Sequence, residues 1–151
     1  MVKTYTRRFQ KDVYDKVDGP SKEALIKILE AEGHKIVTSE ESYDVDIVSQ
    51  KDGVTYYNEA EQKPQWKKDW PTWWEEVRIP GRKRRLVQKY QDSLDNLYFY
   101  VFNKTYDRAW KIKGTQMSDS MLKEASGPKW KIPDGETFYH IPYPEAELVT
   151  V

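Results

Sequence analysis

Residues 43–63 read YDVDIVSQKDGVTYYNEAEQK, and the rest of the chain is ordered around them. The second half, VTYYNEAEQK (54–63), is rich in β-branched and aromatic residues and reads as a strand. Alternation puts Thr55, Tyr57, Glu59, Glu61 and Lys63 on one face, with Val54, Tyr56, Asn58, Ala60 and Gln62 on the other. The first half, DVDIVS (44–49), gives a second strand with Asp44, Asp46 and Val48 on one face. Between the two, Asp52-Gly53 is a strong two-residue hairpin signal. With that turn, Lys51 faces Val54, Asp46 lies opposite Glu59 and Asp44 opposite Glu61. A slip of one residue or a bulge would change these pairings.

Four carboxylates therefore meet on one face, with Lys63 at the edge. Like charges directly opposite each other destabilise a sheet. A divalent cation would reverse that penalty, because hard cations take carboxylate oxygens. The plainer alternative is a solvated outer face on which Lys63 pairs with Glu61.

Upstream, Ser21 follows Pro20 as a candidate N-cap, Ala24, Leu25, Ile28 and Leu29 form an apolar helical stripe, and Gly33 closes the helix. Residues 1–19 read as an N-terminal arm in which Arg7 and Arg8 either touch phosphate or are simply solvated. Lys35 to Thr38 reads as a short strand, and Pro64 stops the hairpin's second arm. Next, Trp66, Trp70, Trp73 and Trp74 are interleaved with Lys67 and Lys68, before Arg82, Lys83, Arg84 and Arg85 on a helix from about Pro80 to Tyr90. Cations interleaved with aromatics suit nucleic acid; the alternative is a basic helix over packed tryptophans, and packing is the preferred reading for the rings. Leu97 to Phe102 reads as a strand buried on both faces, Arg108 to Ile112 as the next strand, and Met117 to Ala125 as a short helix capped by Ser118. Thr137 to Pro142 reads as an edge strand.

The order of elements implies one α/β (α+β) domain over 1–151, with a mixed sheet of about five strands flanked by helices. Within it, 20–113 form the core and 114–151 a C-terminal extension. Net charge is +0, which argues against a simple electrostatic nucleic-acid binder and requires local clustering for any phosphate contact. A mean hydropathy of −0.91 hints at disorder, but 6 Trp, 11 Tyr and 4 Phe supply enough apolar surface for a core. The absence of cysteine excludes disulfide and thiolate chemistry. With no apolar run of spanning length, the expectation is a cytoplasmic protein with no membrane contact.

An acid at a strand start, a hairpin and then Glu61-Gln62-Lys63 resembles the PD-(D/E)xK nuclease superfamily, which includes restriction endonucleases, phage exonucleases and junction resolvases. The family's first acid maps onto Asp46 or Asp44 and its E-x-K onto Glu61 and Lys63; the Pro before the acid is missing, since Tyr43 precedes Asp44 and Val45 precedes Asp46. The resemblance implies a restriction-endonuclease-like core and a Mg²⁺-dependent deoxyribonuclease, with Mn²⁺ able to substitute. It places Asp46 and Glu61 on the metal, with Asp44 as rival, Glu59 in support and the Gln62 carbonyl as a further ligand. Lys63 would orient the attacking water, Glu23 would be either a helix acid beside the metal or a dipole-complementing residue, and Lys67, Lys68, Arg82, Lys83, Arg84 and Arg85 would bind DNA. A homodimer would suit cleavage of both strands, and a small cysteine-free chain suits a phage-encoded nuclease in a bacterial host. The alternatives are a non-catalytic nucleic-acid (junction) binding module of the same fold, and a protein–protein adaptor using the Trp-rich segment.

Overall fold

The computed structural model describes residues 19–38, 45–124 and 136–151. Helix α1 (Gly19–Ala31) buries Ala24, Leu25, Ile28 and Leu29, the stripe its spacing predicts. It starts before Ser21, which is buried in the first turn rather than standing outside as a cap. At its end the His34 N–H donates to the Leu29 carbonyl at 2.9 Å and the Gly33 N–H to Glu30 at 3.0 Å, closing the last turn.

Strands β1 (Lys35–Thr38), β2 (Ile47–Lys51) and β3 (Val54–Gln62) follow as an antiparallel meander. Asp52 and Gly53 have φ of 52° and 80°. Both are left-handed, as the tight turn matching a sheet's twist requires. Lys51 pairs with Val54 and Ile47 with Asn58, the register that turn dictates. The second strand begins at Ile47 rather than at Asp44, with Val45 and Asp46 in a bend before it. Asp44 lies outside the described residues, as do Arg7 and Arg8 of the expected arm.

After β3 come β4 (Glu76–Pro80), a 3-10 turn (Gly81–Lys83) and α2 (Arg84–Lys89). β5 (Leu97–Phe102) then pairs parallel to β3, and β6 (Arg108–Lys113) antiparallel to β5. The helix expected over Met117–Ala125 is instead a 3-10 turn (Asp119–Met121) leading into β7 (Leu122–Glu124), and Ser118 makes no side-chain cap. β8 (Thr137–Pro142) and β9 (Glu147–Thr150) end the chain.

The result is a mixed α+β architecture. A six-stranded sheet has the order β1-β2-β3-β5-β6-β9, and a three-stranded antiparallel sheet the order β4-β8-β7. β8 is thus the middle strand of the smaller sheet, not an edge; its one proline is tolerated because Pro142 falls at its last residue. Of the described residues after Lys113, β9 belongs to the main sheet and β7 and β8 to the smaller one.

β5 shows how the layers are stacked. Leu97, Phe99 and Val101 pack with Val77 and Ile79 of β4 and Tyr139 and Ile141 of β8, while Tyr100 and Phe102 pack with Leu25, Ile28 and Leu29 of α1. The main sheet is therefore covered on both faces, which explains a strand hydrophobic at every position. Trp66 (1% exposed) and Trp110 sit in the first of these cores, with Trp70 set edge-on to both at 5.2 and 5.5 Å between ring centroids. Among the described residues no helix is long and apolar enough to cross a membrane.

Candidate active site

Tyr57 on β3 and Val48 on β2 belong to the core under the smaller sheet. Alternation along β3 therefore aims Glu59 and Glu61 toward that same side, and Asp46, in the bend before β2, lines the same cavity. Glu59 is flanked in register by Phe99 on β5, and Glu61 by Val101, both buried. An apolar strand on one side and an acid on the other make an unfavourable place for a carboxylate.

Two features make it tolerable. Asp46 and β3 clasp each other through the backbone: the Asp46 N–H donates to Glu59 Oε1 at 3.0 Å, and the N–H of the next residue, Ala60, donates to Asp46 Oδ2 at 2.9 Å. These charge-assisted bonds replace the ladder where β2 has not yet begun. The second feature is Lys83, whose Nζ bonds Glu59 Oε2 and stands 2.8 Å from Glu61 Oε2. Arg82 is mostly exposed and reaches Glu61 Oε2 only at 3.6 Å.

Lys83 is carried inward by its backbone. β4 pairs with β8 from Glu76↔Pro142 to Pro80↔Phe138, burying Val77 and Ile79. The chain then turns at Gly81, where an added Cβ would lie 2.8 Å from the Thr137 carbonyl oxygen. Only a residue without a side chain lets the turn sit that close to β8. Leu86, fully buried, anchors the start of α2 beyond it. Lys83 thus ends 7% exposed over the acids.

The electrostatics follow from this placement. Burial, and then the charge of Asp46, push Glu59 up to about 7 against the pull of Lys83. Burial pulls Lys83 down, but the charges of Glu59 and Glu61 and the hydrogen bonds to them outweigh it, and the net direction is up. Near neutral pH the site therefore holds a firmly protonated ammonium beside a carboxyl poised to exchange a proton.

These groups line an open cavity of about 400 Å³ with Ser21, Ala60, Gln62 and Arg82. From α1 it is Ser21, in the first helical turn, that reaches the cavity; Glu23 is exposed and is not among its lining residues.

The sequence-predicted residues divide accordingly. Asp46, Glu59, Glu61 and Gln62 come together. Lys63 does not join them: it lines a neighbouring cavity, with its Nζ 5.0 Å from the Trp74 ring centroid. Burial, then the charge of Arg78, lower its pKa. Lys83, expected on a DNA-facing surface, is instead the buried cation of the acid cluster, because β4 and Gly81 fold it inward. Arg84 forms a two-pronged pair with Asp119 at 3.0 and 3.1 Å, while Lys67, Lys68 and Arg85 are exposed.

As donors, Asp46, Glu59 and Glu61 present only hard oxygen atoms, and three carboxylates face two cations. That set fits a small hard cation. Among the described residues, no three His, Cys, Asp or Glu side chains already stand in ligating arrangement, since Lys83 lies between Glu59 and Glu61. Comparison with protein-family models finds no match, and comparison with curated proteins finds none either.

Proposed function

We propose that the chain is a metal-dependent nuclease that hydrolyses DNA phosphodiesters at the Asp46–Glu59–Glu61–Lys83 cavity. The observation that supports this reading best is the convergence of Glu59 and Glu61 of β3 on one buried ammonium, with the Asp46 carboxylate from the bend before β2 lining the same solvent-open cavity. Asp46 and Glu61 would hold Mg²⁺ or Mn²⁺, with Glu59 and the Gln62 carbonyl in support. A divalent ion held there would supply an activated water and offset charge on the phosphate. The chain's own residues do the rest. The backbone clasp fixes Asp46 and Glu59 relative to each other, which is the preorganisation such chemistry needs. Lys83, rather than Lys63, supplies the ammonium: its protonated state suits it to balance phosphate charge and hold the attacking water. Glu59, with its pKa about 7, can take a proton at the pH of the reaction.

The test is incubation of linear, nicked and four-way-junction DNA with Mg²⁺ or Mn²⁺, beside Glu61→Gln. Cleavage that requires the ion and vanishes in the variant is expected. Equal cleavage by wild type and variant would remove the assignment. One observation favours a second reading, a non-catalytic nucleic-acid binding module: Lys83 already stands between Glu59 and Glu61 as their shared counter-ion. Salt-sensitive DNA binding without turnover in either ion would select it. The adaptor reading is left with little surface, because Trp66 is buried, Trp70 and Trp74 pack against that core, and only Trp73 of that segment's rings stands exposed.

A further inference from the structure

A second cavity of about 410 Å³ is lined by Lys63, Gln65, Trp73, Trp74, Glu75, Glu76 and Arg78. Its size falls in the range of sites for small ligands, roughly 300–1,000 Å³. Among the described residues Trp73 is the one exposed aromatic ring, at 75%. Its three segment-mates explain why it is held out rather than folded in. Trp74 caps a turn through its N–H to the Pro71 carbonyl at 3.0 Å, and the Trp70 Nε1–H donates to the Trp74 carbonyl at 2.8 Å. Trp70 in turn packs edge-on against Trp66 and Trp74, both at 5.2 Å. The turn carrying Trp73 is therefore packed on one side and open to water on the other.

Charge is arranged around that ring. Lys63, half-buried against Trp74, shares the cavity with Arg78 of β4. Two cations facing one space favour an anion between them. Of the acids, Glu76 is engaged by His140 at 3.0 Å, which leaves Glu75 at the exposed rim. The two cavities are neighbours in the chain: Gln62 lines one and Lys63 the other, while Arg78 and Arg82 lie on one continuous segment.

We propose that Trp73, Lys63 and Arg78 bind an unpaired nucleotide, with the base stacked on Trp73 and its phosphate between the two cations, so that a single-stranded segment is fed to the acid cavity. This deepens the proposed function and rests on it for the nature of the ligand. A single strand is favoured over a duplex because only an unstacked base offers its face to a side chain. Lys63, absent from the acid cluster, acquires a role as a binding residue.

Binding of a fluorescein-labelled ten-nucleotide oligo(dT) and of a blunt duplex is measured by anisotropy in EDTA, so that cleavage cannot interfere. Wild type is expected to bind the oligonucleotide. Trp73→Ala should weaken it about tenfold, as loss of one base stack does, Trp73→Phe should restore most of it, and duplex binding should not change. Lys63→Met should flatten the salt dependence by about 0.7 in log–log slope, the share of one single-strand phosphate. Circular dichroism controls for folding, although an exposed ring is a mild site for substitution. The proposal is overturned if wild type does not bind the oligonucleotide, if Trp73→Ala binds it unchanged, or if single strand and duplex weaken equally. Trp73-dependent binding without cleavage in Mg²⁺ or Mn²⁺ would instead uphold this site and reject the nuclease.

Discussion

Replacing Lys83 with Met keeps the aliphatic stem and removes the charge, which isolates the ammonium's contribution. In the wild type that ammonium bonds Glu59 and Glu61 from a position 7% exposed. Removing one partner of a buried ion pair costs about 3–5 kcal/mol, because the remaining charge is stranded. Glu59 has an escape: its pKa already lies at about 7, and without Lys83 it moves higher still. A group whose folded pKa is raised binds protons more readily folded than unfolded, so its contribution to stability falls as pH rises through that window. At pH 5, Glu59 is neutral and only the bond to Glu61 is lost, about 1.5 kcal/mol for a charged hydrogen bond. At pH 8 the full penalty applies. For a chain of this size each kcal/mol moves Tm by roughly 2–4 °C, so the variant should melt about 10 °C below wild type at pH 8 and about 4 °C below at pH 5. Adding 10 mM MgCl₂ should recover part of the pH 8 loss, through preferential binding to the folded state, but not in Lys83→Met/Glu61→Gln. Calorimetry at both pH values decides the matter. A loss of equal size at pH 5 and pH 8, or none at all, would refute the picture of a buried ammonium holding ionised acids.

Two further substitutions probe the same construction. Glu59→Gln removes a group that is shifted from 4.5 to about 7 in the folded chain, so wild-type stability relative to the variant should fall by about 3 kcal/mol between pH 4.5 and 7.5; parallel curves from urea titrations would contradict it. Gly81→Ala drives a methyl to 2.8 Å from the Thr137 carbonyl oxygen, and should cost about 1–3 kcal/mol as other overpacking changes do. The same shift should loosen Lys83, whose charge holds the Glu59 pKa down, visible by carboxyl NMR as Glu59 moving further up; an unchanged melting curve would show that the turn can move away freely.

The hairpin was readable from sequence because Asp52-Gly53 leaves one low-strain turn, and that turn alone sets Asp46 against Glu59. The α1 stripe and β5 were readable for similar local reasons: their burial follows a helical period or a continuous apolar run. The smaller sheet was not. β4 is five residues long and ends in Pro80, and its partner β8 lies about sixty residues away in sequence, so the pairing leaves no local trace. Lys83 was hidden for a related reason. In Arg82-Lys83-Arg84-Arg85 nothing local says which cation turns inward; the contact of Gly81 with Thr137 does. Lys63 was misplaced because β3 ends at Gln62, and beyond it the side chain meets Trp74 and Arg78 instead of the acids.

The identity of the working ammonium is tested most directly by steady-state cleavage of a splayed DNA duplex in Mn²⁺ by Lys83→Met and Lys63→Met. Lys83→Met should lose about 10²-fold or more in kcat, the scale of losing one positioned charge-stabilising donor. Lys63→Met should raise KM while keeping kcat within a few-fold. A collapse of kcat in Lys63→Met with Lys83→Met still turning over, or no cleavage by wild type in any divalent ion, would contradict the account.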